Sequence, residues 1–322
     1  MSKENLQPFA FDCVVIGDIL IDVILYISGD YPRFFYGGTS YCDIAKIEFG
    51  GSGNVAVGLS SLGERAAFIG KAGHDYFGRL YVRNLKKKKV TSKVFYDKDF
   101  STGITITFVD NQKERSFLVF RGANDKLSTD DIKKATGIIR SSKYVYFSGY
   151  SLVKDPQQSA ILQGIEIARN YGVKIVFDPG AHNLIQSKPQ LFAKILDLCD
   201  IFSPNLDEAM AITKTTNIKD VIDKLRDKVP LTAIKCGEDG CILISKDNTI
   251  KVSGIKVKCI DPTGAGDAFT AALIYGLSCG LPLKSIGQLA NWFAAQLVTR
   301  KGPRSFPTKT RINNFIEELI LT

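Results

Sequence analysis

Residues 144–180 read YVYFSGYSLVKDPQQSAILQGIEIARNYGVKIVFDPG. Tyr144 to Phe147 is a short aromatic and β-branched run, the composition of a strand delivered to a buried sheet. Gln157 to Asn170 reads as a helix, and Val173 to Phe177 as a second strand that stops at Asp178-Pro179-Gly180. Strand, helix, strand on this scale lays two parallel strands side by side beneath a covering helix.

The same alternation extends in both directions. Upstream, Phe11 to Ile16 (FDCVVI) is a strand closed by Gly17-Asp18, Asn54 to Leu62 a small apolar helix stopped by Gly63, and Ala66 to Ile69 another strand. Downstream, units follow at Leu191 to Phe202 and at Ile218 to Leu225 with Thr232 to Lys235, and after a short antiparallel-looking stretch come helices at Ala268 to Leu277 and Ile286 to Thr299. This order predicts an α/β fold with a mostly parallel sheet, helices on both faces and ligands at the strand C-terminal ends.

Two stretches break the pattern. Tyr31 to Phe49 is irregular, with Pro32, Gly37-Gly38 and several aromatics. Between Val94 and Phe120 apolar and polar residues alternate, as a hairpin would that leaves one face to solvent or substrate and turns at Asp110-Asn111-Gln112. Together they read as a β lid, approximately 23–49 and 94–121, set into one domain that spans 1–322. No repeat, low-complexity segment or Pro/Ser-rich linker divides the chain.

Composition narrows the function. The chain has 322 residues, 45% hydrophobic and 23% charged, enough for a large core. No apolar run approaches the ~20 residues of a membrane span, and Met1-Ser2-Lys3-Glu4-Asn5 lacks the start of a signal peptide, so a cytoplasmic protein is expected with no membrane partner. The seven cysteines have no C-x-x-C spacing and read as buried thiols, while two histidines, His74 and His182, are too few for a His-rich metal cage. The net charge of +9 is diffuse, and the run Lys86-Lys87-Lys88-Lys89 reads as a solvated helix end, so no nucleic-acid partner is expected.

The chemistry concentrates in Asp261-Pro262-Thr263-Gly264-Ala265-Gly266-Asp267-Ala268-Phe269. Small residues at Gly264, Ala265 and Gly266 let the backbone approach a ligand, and their N–H groups open the following helix, where they lack intrahelical partners. Such an anion hole would hold a transferring phosphoryl group. Asp267 beside it costs Coulomb repulsion with a phosphate, which a general base accepting a substrate hydroxyl proton would justify; the plainer alternative is a helix cap.

This stretch resembles the C-terminal signature of the ribokinase, or PfkB, family of sugar and nucleoside kinases. Gly50-Gly51-Ser52-Gly53-Asn54-Val55-Ala56 is similar to its N-terminal signature, and Pro204-Asn205-Leu206-Asp207-Glu208 to its N-x-x-E motif, over about Asp12 to Pro307. The resemblance implies a three-layer α/β/α fold with a small β lid, and a kinase that moves the γ-phosphoryl of ATP to a primary alcohol of a sugar or nucleoside. It makes Asp267 the base and Gly264 to Gly266 the anion hole, and puts Asp22, Gly51 and Asn54 on substrate hydroxyls. Glu208 and Asn205 would organise Mg2+ through water, with the nucleotide near Asn205, Lys235, Gly237 and Asn291. Some members bind a monovalent cation, K+ being the candidate, at the positions of Asp261 and Thr263, and members are often dimers through their lids, a surface that Tyr26 to Tyr41 could supply here.

Departures bear on the acceptor. Leu20 and Ser52 stand where ribokinases proper usually have Asn and Lys, and Ser148-Gly149-Tyr150 where several sugar kinases have an acidic residue. Arg121 and Asn124 could reach an acidic group on the acceptor, although a solvated arginine is the plainer expectation. The rival reading is an NAD-type oxidoreductase built on Gly51-x-Gly53-x-x-Ala56, but that fingerprint should follow the first strand directly.

Overall fold

The computed structural model describes residues 9–27, 39, 41–109, 115–180 and 182–321. Phe11–Ile16 forms β1, an interior strand of a large sheet, where alternate side chains enter two different cores. Cys13 and Val15 join Phe68, Tyr146 and Val176 on one face; Val14 and Ile16 join Ile69, Phe147 and Phe177 on the other. This period of two explains why the strands read as unbroken apolar runs.

Among the described residues the remaining strands are β2 (Ile19–Tyr26), β3 (Ile44–Gly51), β4 (Ala66–Gly73), β5 (Thr91–Asp97), β6 (Gly103–Val109), β7 (Arg115–Phe120), β8 (Ser142–Ser148), β9 (Lys174–Asp178), β10 (Ile201–Phe202), β11 (Leu231–Lys235), β12 (Cys241–Ser245) and β13 (Thr249–Val252). The large sheet runs β13-β12-β11-β10-β9-β8-β1-β4-β5, parallel from β11 to β5, with β12 and β13 antiparallel at one edge. The predicted α/β architecture is present, and its helix Gln157–Asn170 has the predicted bounds. That helix packs so closely on β1 that a Cβ on Gly164 would lie 3.0 Å from Ile16 Cδ1.

The second sheet has the order β3-β2-β6-β7. Within the stretch Tyr31 to Phe49 read as irregular from sequence, Ile44 begins an edge strand that runs to Gly51, with Ile44 and Ile47 exposed. The segment from Val94 divides: β5 pairs with β4 at the edge of the large sheet, and only Gly103 to Phe120 forms the second sheet's hairpin. Its turn at Asp110-Asn111-Gln112 lies outside the described residues, as does most of the Tyr26 to Tyr41 segment.

Register sorts the second sheet into two faces. One carries the row Glu48-Asp22-Thr105-Val119, the other the rows Phe49-Ile21-Ile104-Phe120 and Ile47-Val23-Ile106-Leu118. On the first face Thr105 is buried and Val119 about half exposed; on the other Ile21 is buried in the core beneath the large sheet, and Ile47, Leu118 and Phe120 are at least half exposed, an apolar patch open to solvent.

The cysteines depart from expectation. Cys13, Cys199 and Cys241 are buried strand or core thiols, but Cys42, Cys259 and Cys279 are exposed, since they sit in loops or past a helix end. Lys86 to Lys89 are exposed at the end of helix Tyr76–Lys87, as expected. Among the described residues no helix is long and apolar enough to cross a membrane.

Candidate active site

The parallel strands bring Gly17-Asp18 after β1, Ser148 of β8, Asp178 of β9, Asn205 after β10 and Lys235 of β11 to one edge of the large sheet. Helix Ala265–Ser278 starts there. Its preceding residue, Gly264, is left-handed (φ +80°), and a Cβ on it would lie 2.9 Å from the Pro303 carbonyl oxygen, so glycine is required twice over. Of the three predicted anion-hole amides, that of Ala265 donates to Pro262 O at 3.2 Å. Over Gly266 the surroundings are open: the nearest atom to a Cβ built there is Lys235 Nζ, at 3.5 Å. Helix-start amides with an ammonium overhead suit an anion.

Asp267, in the first turn, accepts a hydrogen bond from Asn54 Nδ2 at 3.0 Å. The two are 213 residues apart, so the fold joins the GG-x-G-N turn to the G-A-G-D helix start. Burial pushes the Asp267 carboxyl up to about 6; the Asn54 bond opposes the rise, the Asp178 charge adds to it, and Lys235 and Arg304 oppose it. Asp22, midway along β2, is likewise raised to about 6 by burial, eased by the Thr105 hydroxyl and by Arg304 and worsened by Glu48. Its carboxylate lies over Gly50, where any Cβ would come within 2.3 Å of Oδ2. Gly51 turns the chain with φ +70°. Asp22, Gly51, Asn54 and Asp267 therefore belong to one neighbourhood.

Asn205 and Glu208 face each other in a capping box: Glu208 N–H donates to Asn205 Oδ1 at 2.8 Å, and Asn205 N–H to Glu208 Oε2 at 2.8 Å. The N-x-x-E spacing thus has a structural use of its own. Burial, followed by the Asp178 charge, raises the Glu208 carboxyl above its ordinary value, and Lys235 moderates the effect. Two neighbouring carboxylates are hard oxygen donors suited to a hydrated divalent cation. Among the described residues no cluster of three His, Cys, Asp or Glu forms a closed metal cage.

The other predicted positions have local duties. Asp261 Oδ1 accepts from Thr263 N–H and Oδ2 from Gly302 N–H, both at 3.0 Å, which clamps two loops together. Asn291 Nδ2 donates to Val252 O and Ser253 O at 3.2 and 3.1 Å. Its neighbour Trp292 is buried and stacks on Phe315. Gly237, left-handed at φ +61°, opens the tight turn between β11 and β12.

Three residues escaped the sequence reading. Asp178 was seen only as a strand end, although a carboxylate ending a parallel strand is itself a ligand-site signal. Lys235 Nζ donates to it at 2.6 Å and Thr270 Oγ1 at 3.2 Å. Arg304 and Tyr81 gave no signal, because their partners Asn54 and Gly50 are remote in sequence. Arg121, expected in solvent, is instead half-buried: its guanidinium bonds both oxygens of Asp18, and Asp125 at 2.6 Å, because the end of β7 returns to the loop after β1. Asn124 Oδ1 and Nδ2 meanwhile pair with the Ile19 N–H and C=O, at 2.7 and 2.8 Å.

The pfkB carbohydrate kinase family model matches residues 10–311. The chain belongs to that family. Mouse (Mus musculus) ribokinase is 30% identical over 92% of each chain, and probable fructokinase-4 of Arabidopsis thaliana 28% identical over 94% of this chain and 96% of its own. Among solved structures, adenosine kinase from Sinorhizobium meliloti superposes with a TM-score of 0.85 (23% identity; 94% of this chain, 99% of that one). A "putative Ribokinase II" from E. coli, in complex with ATP and Mg2+, gives 0.83 (22% identity; 96% and 99%). This pfkB chain is a sugar or nucleoside kinase with the ribokinase fold. The oxidoreductase alternative has no support: Gly51-x-Gly53-x-x-Ala56 follows β3, an antiparallel strand of the second sheet, and not a strand of a parallel β-α-β unit.

Proposed function

We propose that this pfkB kinase moves the γ-phosphoryl group of ATP to a primary alcohol of a sugar or nucleoside, with Asp267 as general base. The single observation that carries the reading is the Asn54–Asp267 hydrogen bond of 3.0 Å, which sets the acceptor-side turn against the helix start that faces phosphate. Asp22, Gly51 and Asn54 hold acceptor hydroxyls, a task for directional polar groups. The Gly264 and Gly266 amides, with Lys235 overhead, take up charge on the phosphoryl oxygens during in-line attack. Asp267 accepts the hydroxyl proton, a contribution of typically ~10²–10⁴-fold. Its carboxyl, raised to about 6, is ionised at neutral pH and basic enough to serve.

The ATP and Mg2+ bound by the E. coli relative support the choice of donor and metal. Mg2+ held here would supply neutralisation of the phosphate charge. Glu208 and Asp178 are the carboxylates that would hold it, through its water shell. Closure of the second sheet over the acceptor would exclude water and suppress ATP hydrolysis. The exposed apolar residues Ile47, Leu118 and Phe120 on one face of that sheet fit a homodimer formed through it.

A coupled ADP-release assay over pentoses, hexoses, keto-deoxy acids and nucleosides tests the function. ATP-dependent turnover with one acceptor class is expected; no ADP release with any alcohol would overturn it.

A further inference from the structure

Arg304 enters the site from the loop after helix Leu283–Val298, and four of its N–H groups are committed. Nε donates to Asn54 Oδ1 at 2.8 Å, one terminal nitrogen to Asn84 Oδ1 at 2.7 Å, and the other to Tyr81 OH at 2.8 Å and Gly50 O at 3.3 Å. The Phe49 and Tyr81 rings, which meet edge to face with centroids 5.8 Å apart, lie together beside the guanidinium, 5.4 and 5.0 Å from its carbon. Tyr81 OH in turn donates to Gly50 O at 2.7 Å. A planar, always charged fork with four hydrogen bonds and two adjoining rings is held rigidly, as a lysine would not be.

We infer that Arg304 is a positioning residue for phosphoryl transfer: it fixes which way the Asn54 amide faces, and through that amide the orientation of the Asp267 carboxylate. An amide can flip, exchanging its donor and acceptor ends. With Arg304 donating to Oδ1, only one orientation is satisfied, and it aims Nδ2–H at Asp267. The flipped form would set a carbonyl against a carboxylate and an NH2 against a guanidinium. The inference rests on the reading of Asp267 as the base.

Arg304 also acts through charge. The groups facing Asp267 are Asn54, Asp178, Lys235 and Arg304; those facing Asp22 are Thr105, Glu48 and Arg304. Arg304 is the one cation common to both lists, and it opposes the burial that raises them.

The test compares Arg304→Ala, Arg304→Lys and Asp267→Asn in the full chain, by kcat, KM and the pH profile. Arg304→Ala should lower kcat by about 10- to 100-fold, the scale of a misplaced reacting group. ATP KM should stay within about twofold, the acid limb of the profile should move to higher pH, and millimolar ethylguanidinium should restore part of the rate. A purely structural arginine would instead lower Tm while leaving kcat per folded molecule and the acid limb in place, and that result overturns the inference. If Arg304→Ala does not fold, Arg304→Lys decides, since it keeps the stem and charge: a kcat loss of about tenfold or more with little movement of the limb is expected, and wild-type kcat overturns it. Turnover by Asp267→Asn would sink the base itself. Inactive Asp267→Asn beside fully active Arg304 variants would sink the role of Arg304 alone.

Discussion

Lys235 at the end of β11 reaches past β10 to Asp178 at the end of β9 and donates to its Oδ2 at 2.6 Å, with side-chain exposures of 14% and 7%. The pair closes the C-terminal ends of the strands beside the Gly266 helix start, where Lys235 Nζ lies 3.5 Å from a Cβ built on Gly266.

Lys235→Met should therefore cost both stability and nucleotide binding. It leaves the buried Asp178 carboxylate with the Thr270 hydroxyl but no cation, a loss of roughly 3 kcal/mol by the scale of broken buried pairs. Adding Asp178→Asn to the same chain should recover part of the stability in urea denaturation. The raised ATP KM should not recover, since the ammonium is still missing.

Asp22→Ala should raise the acceptor KM by at least about tenfold while ATP KM stays close to wild type, because one partner of a directional hydrogen bond is lost on the acceptor side only. Equal losses for both substrates would place Asp22 in the scaffold of the second sheet.

Activity should fall on the acid side. Asp267 and Asp22 both titrate near 6 and are both needed ionised, so log(kcat/KM) should be flat above about 7 and drop below 6 with a slope that approaches two. A slope of one would leave a single carboxylate in that role.

The same raised carboxyl ties stability to pH. Folding lifts the Asp267 carboxyl from the ~3.9 of an exposed aspartate to about 6, so the folded state binds the proton more tightly. That contribution is complete below about pH 4 and is lost as pH rises through 6. Asp267→Asn cannot ionise and should melt higher than wild type at pH 7.5, by an increment that shrinks toward pH 4. An equal Tm across that range would contradict the burial of an ionised carboxylate.

The sequence was most legible where chemistry and burial coincide. β1, β8, β9 and helix Gln157–Asn170 announce themselves because they are apolar on every face that packs. The second sheet was half visible. β6 and β7 alternate cleanly, but β3 is an edge strand where Glu48 stands opposite Asp22 and Gly50 leaves room for the Asp22 carboxylate, so its residues are not chosen for a core. β5 alternates for a different reason, as the half-exposed edge of the large sheet, and so imitates the hairpin beside it. Asp267, Asn54 and Lys235 stood in local motifs. Arg304 is made functional by Asn54, Asn84 and Gly50, each more than 200 positions away, and no window of sequence contains that relation.

The account turns on Asp267 as the acceptor of the hydroxyl proton. Rapid-quench single turnover of the Asp267→Asn enzyme with ATP and its best acceptor, beside calorimetric titration of each ligand, measures that directly. Phosphoryl transfer slowed by about 10²-fold or more with both dissociation constants within about threefold of wild type is the predicted result. Transfer at the wild-type rate, with binding intact, would contradict it.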